Sequence, residues 1–118
     1  MVKHYSGYFI MAQKKLTQSI IKIVRDYGRV VARSIPVQEV IIFGSYAKGI
    51  THKDSDIDVC VVSPKFGKDL FEESIVLDRL TDNIDSRIEP HPMNQRLLSN
   101  KYDTLASEIR EHGIAISL

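Results

Sequence analysis

Two short runs with the composition of strands narrow the folds available to this chain. Val40 to Phe43 is apolar throughout and stops at Gly44, whereas Ile57 to Val62 is a β-rich run that contains Asp58 and stops at Ser63 and Pro64. Short apolar runs bounded by Gly, Ser or Pro are typical of strands that are buried on both faces. We therefore predict two neighbouring strands within a sheet, and helices that cover the sheet.

The rest of the chain alternates between helical and extended patterns. Over residues 11–34, apolar residues recur every three or four positions, which predicts a helix with one apolar face. That face is expected to hold Leu16, Ile20, Ile23, Val24, Tyr27 and Val30. A second helix is predicted over 68–80 with core contacts from Leu70, Phe71, Val76, Leu77 and Leu80, and a further helix over 103–112 with contacts from Leu105, Ala106 and Ile109.

Three shorter elements complete the prediction. Ile84–Glu89 is predicted as a third strand that Pro90 and Pro92 end, because proline cannot donate to a strand ladder. Residues 94–99 are predicted as a short helical turn, and Ile114–Ile116 as a short edge strand. Gly113 is a natural C-cap for the helix before it.

The order of these elements predicts the fold class and the domain organisation. It favours an α/β or α+β domain, with a small mixed sheet of about three to five strands and helices packed on it. The 118 residues fit one domain over 1–118, with an N-terminal helix at 11–34 and a core at 37–118.

Charge and composition exclude several classes of function. The net charge of +1 gives no basic excess, so extensive nucleic-acid binding is not expected. Cys60 is the only cysteine, which rules out a disulfide within the chain and suits a reducing compartment. The apolar stretch from Tyr8 to Ala12 is too short for a signal peptide or a membrane span, and a cytoplasmic protein is expected.

Gly44 and Ser45 follow directly after the first predicted strand. Glycine allows a sharp turn and a close approach to a ligand, and Ser45 can cap a helical turn that begins there. A helix N-terminus presents free N–H groups to a phosphate. The alternative, a plain strand-to-helix turn, is the commoner meaning of this pair when it stands alone.

Asp56 and Asp58 stand at the start of the second predicted strand. Residues two apart on a strand point to the same side, so both carboxylates are aimed at one place while Ile57 and Val59 face the core. Carboxylates this close repel unless a cation lies between them, and Mg²⁺ typically binds one or two carboxylates together with substrate phosphates. The alternative is a solvated turn leading into an edge strand, but the apolar residues after Asp58 favour a central strand.

The two features together resemble the signature of the DNA polymerase β-like nucleotidyltransferase superfamily. Gly44-Ser45 is followed by ten residues and then by Asp56-x-Asp58. The chain looks most like the minimal nucleotidyltransferase branch, which includes the MNT-type antitoxins. The resemblance runs over residues 37–118, including the segment 108–114. Lys48 stands where that family often has Arg.

The resemblance implies a set of functional residues. Asp56 and Asp58 would bind two Mg²⁺ ions, and a third carboxylate on a later strand would complete the site. Glu89 is the first candidate for it and Asp85 the second; the alternative for Glu89 is an exposed strand-end acid. Gly44, Ser45 and Lys48 would bind the phosphates of ATP or another NTP, although Lys48 is equally compatible with an ordinary solvated lysine.

The resemblance also implies partners. A chain of this length lacks the helical domain of larger relatives, so we expect a partner or a second copy of the chain to complete the acceptor site. Minimal members are often paired with a helical HEPN-type toxin, to which they can transfer AMP. Two alternatives stay open: a dimer that modifies a small molecule such as an aminoglycoside, and a module that neutralises its partner by contact alone. An RNA-tailing polymerase is the least supported.

Three further residues near the motif have less specific roles. His91 follows Glu89 closely and is compatible with the lining of a cleft, but a role outside the site is favoured. His52 is better explained by a solvated loop, and Cys60 by a small core side chain.

Overall fold

The computed structural model describes residues 16–52 and 54–118 of the chain. Within them, four strands and five helices alternate. In chain order they are α1 (Gln18–Ala32), β1 (Glu39–Phe43), α2 (Gly44–Lys48), β2 (Ile57–Val62), α3 (Leu70–Arg79), β3 (Ile88–Met93), α4 (Gln95–Leu98), α5 (Thr104–His112) and β4 (Ile114–Ala115). The predicted α+β class with a small mixed sheet is confirmed.

The four strands form one mixed sheet in the order β3-β2-β1-β4. Strand β1 runs antiparallel to both β2 and β4, whereas β2 and β3 run parallel. The crossover between β2 and β3 passes through α3, as parallel neighbours require a long connection. The central position predicted for Ile57–Val62 is therefore confirmed, with the predicted bounds.

Both faces of the two central strands are largely buried, as the apolar run Val40–Phe43 and the apolar residues after Asp58 predict. Alternate residues of each strand contribute to two separate cores. The first face carries Val40, Ile42, Ile57, Val59 and Val61, and α1 and α3 cover it. The second carries Ile41, Phe43, Cys60 and Val62, which pack with residues of α4 and α5.

Helix α1 covers the first face with an amphipathic stripe. Ile20, Val24, Tyr27 and Val31 are its buried apolar residues, so Val31 occupies the place predicted for Val30. The hydroxyl of Tyr27 donates a 2.8 Å hydrogen bond to the carbonyl of Leu77 and thereby joins α1 to α3. At 15 residues α1 is the longest helix, and no helix in the described part of the chain is long and apolar enough to cross a membrane.

The predicted bounds of α1 were too wide. Thr17 has an extended backbone and its side chain accepts a hydrogen bond from the N–H of Ile20, so the helix begins only at Gln18. At the other end it stops at Ala32, two residues before Ser34. Residues 11–15 of the prediction lie outside the described residues.

The third strand was predicted in the wrong place. It begins at Ile88 and continues through Pro90 and Pro92 to Met93, whereas the prediction ended it at Glu89. Among the described strands, β3 lies at an edge and pairs only with β2, so a proline nitrogen can face away from the ladder without the loss of a hydrogen bond. The prolines therefore mark an edge rather than an end.

Several apolar residues predicted for the core are exposed. Phe71 is 71% exposed, and Leu70, Val76 and Leu105 are also exposed. Helix α3 lies against the sheet at the edge formed by β3, and within the helix only Leu77 is fully buried. A helix at a sheet edge buries a narrow stripe, which leaves the apolar residues outside that stripe in contact with solvent.

Candidate active site

The site lies where β1 ends and where β2 and β3 begin. Asp58 is the second residue of β2, and its register neighbours are Phe43 on one side and Glu89 on the other. Its side chain lies on the second face of the sheet, since Ile57 and Val59 are fully buried on the first face. The antiparallel and parallel pairings thus place a carboxylate beside the turn after β1.

Gly44 forms that turn and contacts Asp58. Its φ of 72° is left-handed, a conformation that favours glycine. A Cβ atom at Gly44 would overlap the Oδ2 atom of Asp58, so a larger residue would displace the carboxylate. The backbone then enters α2 at once, and this short helix ends at Gly49. The sequence predicts that the Gly-Ser turn and Asp58 lie on neighbouring strand ends, and in the structure they are in contact.

Glu89 and His91 complete a cluster around Asp58. Both lie on β3 two residues apart, so their side chains share the second face of the sheet. The Nε2 atom of His91 lies 3.5 Å from Oδ1 of Asp58 and 3.9 Å from Oε1 of Glu89. One potential ligand atom from each of the three residues lies within 4.8 Å of the other two.

The two carboxylates perturb each other's protonation. A hydrogen bond that a protonated Glu89 shares with Asp58 raises the pKa of Glu89, and partial burial and the charges of Asp58 and Asp56 add to the rise. Burial alone would raise the pKa of Asp58, but contacts with His91 and Glu89 outweigh it and lower the pKa. Asp58 therefore holds its negative charge, and Glu89 is the group that more readily takes up a proton.

This donor set fits a divalent cation. Two close carboxylates and a histidine nitrogen without a hydrogen-bond partner are groups that a cation would satisfy together. The raised pKa of Glu89 reflects a repulsion that a cation would relieve.

The other predicted acidic residues occupy different positions. Asp56 precedes β2, is exposed, and lies outside the cluster of Asp58, Glu89 and His91, although its charge contributes to the raised pKa of Glu89. Asp85 lies in the turn before β3 and accepts two side-chain hydrogen bonds from Arg87, at 3.1 and 2.9 Å. The structure thus places Glu89, and not Asp85, beside Asp58.

The predicted phosphate-binding residues lie on α2. Ser45 is the second residue of this helix and not its N-cap, because the cap position is Phe43 and has no side-chain hydrogen bond. Lys48 lies at the end of α2, with its Nζ atom 3.2 Å from Oε2 of Glu108 on α5. The side chain of Lys48 is therefore paired in this structure, and it must leave Glu108 or share it in order to reach a phosphate.

Two depressions adjoin the cluster. An open groove of about 470 Å³ between α3 and β3 is lined by Arg79 and Ser74 on the helix and by Glu89 and His91 on the strand. A smaller one of about 210 Å³ is also lined by His91, and its other lining residues are mainly apolar. Its apolar residues are Leu70, Pro92, Met93, Leu97 and Leu105. His91 therefore borders both depressions, whereas Glu89 borders only the larger one.

Cys60 takes no part in this chemistry. Its side chain is fully buried on the second face, and burial raises the pKa of the thiol to about 12. The prediction of a small core residue is confirmed.

Comparisons with known proteins show which fold and which family this arrangement belongs to. A Sulfolobus solfataricus protein assigned as a nucleotidyltransferase is similar at a TM-score of 0.60, with 20% identity over 97% of this chain and 90% of that one. A toxin–antitoxin structure with AMP-PNP has a TM-score of 0.53, with 20% identity over 82% and 72%. The toxin–antitoxin MntA–HepT has a TM-score of 0.54, with 17% identity over 81% and 70%. At these identities the likeness shows the fold.

The family is shown by the sequence itself. No curated protein sequence matches the chain. The sequence model of the nucleotidyltransferase domain matches residues 17–116, which include α1 as well as the motif-bearing part over which the resemblance was seen. The chain therefore belongs to the nucleotidyltransferase domain family, and it is a nucleotidyltransferase.

Proposed function

We propose that this chain uses Mg²⁺ to transfer AMP from ATP to a hydroxyl group on a partner protein. The observation that carries the proposal is the position of Asp58, which lies opposite Glu89 and against the Gly44 turn. A negative cluster beside a glycine turn provides places for a cation and for the phosphates that it neutralises.

The site residues fall into two groups in this proposal, the cation ligands and the phosphate-binding residues. Asp56, Asp58 and Glu89 would hold the cations, which when bound neutralise charge on the phosphates and on the attacking oxygen. The backbone N–H groups of Gly44 and Ser45 would face the β- and γ-phosphates, and Lys48 would add positive charge there after it separates from Glu108.

The transfer balances as a single displacement. The acceptor oxygen forms a bond to the α-phosphorus while the bond from this phosphorus to the bridging oxygen breaks, and pyrophosphate leaves. The acceptor proton passes to Glu89, which is the more exposed carboxylate of the Asp58–Glu89 pair. The groove between α3 and β3 opens beside Glu89, so it provides the path by which an acceptor reaches that carboxylate.

The acceptor in this proposal belongs to a helical HEPN-type protein. Two observations support a protein partner. Structures of similar fold are toxin–antitoxin complexes. In addition, the exposed side chains of Leu70 and Leu105 line the apolar depression next to His91. Exposed apolar side chains grouped beside a site indicate a surface that another protein covers.

Calorimetric titration with ATP and Mg²⁺ tests where the nucleotide binds. We expect Asp58→Asn to lose Mg²⁺-dependent ATP binding, because one of the cation ligands loses its charge. Asp82→Asn is the matched control: it makes the same change at an exposed turn carboxylate outside the site. Equal affinity of both variants would refute the proposed site.

A transfer assay tests the acceptor. The chain is incubated with the HEPN-type protein and with ATP labelled at the α-phosphate, and label on the partner is measured by mass and autoradiography. We expect labelling with wild type and Asp82→Asn, and none with Asp58→Asn. If Asp58→Asn still neutralises the partner, the proposed transfer of AMP is not how the partner is neutralised. That result would support the alternative, a module that acts by contact alone.

A further inference from the structure

The Nε2 atom of His91 is buried, and no group in the described part of the chain meets it in good hydrogen-bonding geometry; its polar neighbours are the carboxylates of Asp58 and Glu89, at 3.5 and 3.9 Å. A buried polar atom without a partner is costly, and its presence usually has a functional reason. The ring cannot easily turn away, because its edge packs against Phe43 with 5.1 Å between the ring centroids. The nitrogen is thus held facing Asp58 and Glu89.

The three ligand atoms are spaced for one shared cation. Two atoms that bind the same ion at about 2.1 Å lie no more than about 4.2 Å apart. The two contacts of Nε2, at 3.5 and 3.9 Å, already satisfy this limit. The remaining separation, between Asp58 and Glu89, is at most 4.8 Å, and the half-exposed side chain of Glu89 has room to close it.

We propose that His91 is a nitrogen ligand of the cation site and that it raises the affinity of the site for Co²⁺ or Zn²⁺ without raising its affinity for Mg²⁺. This inference rests on the proposed function, because Asp58 and Glu89 are the carboxylates assigned to the nucleotide's cation. Mg²⁺ takes oxygen ligands almost entirely, whereas imidazole suits the later divalent metals. A carboxylate pair alone would give no added preference for these metals, whereas a buried imidazole beside it adds a ligand that they bind well and that Mg²⁺ does not need.

Cobalt titration of the full chain tests the assignment. The absorption bands of bound Co²⁺ report nitrogen ligation directly, without any measurement of transfer activity. His91→Phe keeps a ring against Phe43 but removes the ligand, and His91→Gln removes the ring. His52→Asn is the matched control, since it removes an imidazole from an exposed loop.

We expect both His91 variants to bind Co²⁺ about 10–100-fold more weakly than wild type. Removal of a residue that only hydrogen-bonds to a metal ligand already lowers metal affinity by about this factor, so the loss of a ligand should lower it at least as much. The affinity for Mg²⁺, measured by competition against Co²⁺, is expected to be unchanged within error. His52→Asn should match wild type for both ions. Circular dichroism of His91→Phe checks that the variant is folded, and a spectrum like that of wild type is expected.

The outcomes separate this inference from the proposed function. Unchanged Co²⁺ affinity in both His91 variants overturns the inference, while loss of Mg²⁺-dependent ATP binding in Asp58→Asn would still support the function. Equal loss of Co²⁺ and Mg²⁺ also overturns it, because His91 would then only position the carboxylates. If Co²⁺ binding depends on His91 but wild type with its partner shows no Mg²⁺-dependent ATP binding, the ligand assignment stands and the proposed function fails.

Discussion

Gly44 and Gly49 offer a controlled test of how tightly the turn after β1 is coupled to the site. They flank α2 with nearly equal backbone angles, φ of 72° and 73°. Alanine therefore meets the same kind of backbone strain at both positions. The two surroundings differ, because a Cβ atom at Gly44 overlaps the carboxylate of Asp58, whereas Gly49 is half-buried at the far end of the helix.

The size of each effect follows from these contacts. The left-handed conformation costs an alanine about 1–2 kcal/mol. Alanine also lowers the conformational entropy of the unfolded chain, and this offsets about 0.4–1 kcal/mol of that cost. Gly49→Ala should therefore lower the free energy of unfolding by about 0.5–1.5 kcal/mol. At Gly44 the displaced Asp58 side chain adds about 0.5–1.5 kcal/mol for an unfavourable rotamer.

Calorimetry measures both consequences. The shift in Tm equals the change in the free energy of unfolding divided by the entropy of unfolding. For a chain of 118 residues, a loss of about 1 kcal/mol therefore lowers Tm by about 4 °C. We expect Tm to fall by about 2–6 °C in Gly49→Ala and by about 4–12 °C in Gly44→Ala. At a temperature where both variants are folded, Gly44→Ala should lose Mg²⁺-dependent ATP binding and Gly49→Ala should keep it. Equal Tm losses together with equal ATP affinities would refute the claim that Gly44 positions Asp58.

Three further outcomes are expected. Lys48→Ala should weaken Mg²⁺-dependent ATP binding in a titration, whereas Glu108→Gln should not. Both variants should have a free energy of unfolding within about 1 kcal/mol of that of wild type, because this ion pair is partly exposed. Equal ATP affinities of the two variants would show that Lys48 is not part of the phosphate site. Tyr27→Phe should lower the free energy of unfolding in urea by about 0.5–1.5 kcal/mol, since the Leu77 carbonyl keeps its bond from the N–H of Leu80; no change would show that the hydroxyl bond is not stabilising. Cys60 should resist a thiol reagent at pH 8 until the chain unfolds, because burial raises its pKa to about 12; rapid reaction of the native protein would contradict its burial.

The sheet was largely predictable because its central strands are buried on both sides. A continuous apolar run such as Val40–Phe43 has one stable environment, between two neighbouring strands and two layers of helices. Burial on one side is harder to predict. The apolar residues of α3 have the spacing of a core helix, yet Phe71 is exposed, since the position of α3 at the β3 edge depends on contacts that a local pattern does not contain.

The site was predictable where it depends on alternation along one strand. Asp58 faces away from Ile57 and Val59 as the period of two requires. The sequence predicts a third strand that ends before Pro90, and such a strand gives no reason to place His91 in the site. With β3 extended to Met93, the same rule places His91 on the face of Glu89. A Glu-Pro-His-Pro sequence at a sheet edge is thus itself a signal, in which the prolines take one face and the polar residues the other.

The arrangement of the core and the arrangement of the site have the same origin, which is the register of β2. Asp58 is paired with Phe43 and Glu89, while Ile57 and Val59 fill the first core. A slip of one residue would turn the carboxylate of Asp58 into that core and the side chain of Ile57 toward the Gly44 turn. Because a buried carboxylate without a partner is strongly unfavourable, the hydrophobic pattern excludes the slipped state. The residues that stabilise the sheet therefore also fix the distance from Asp58 to Glu89.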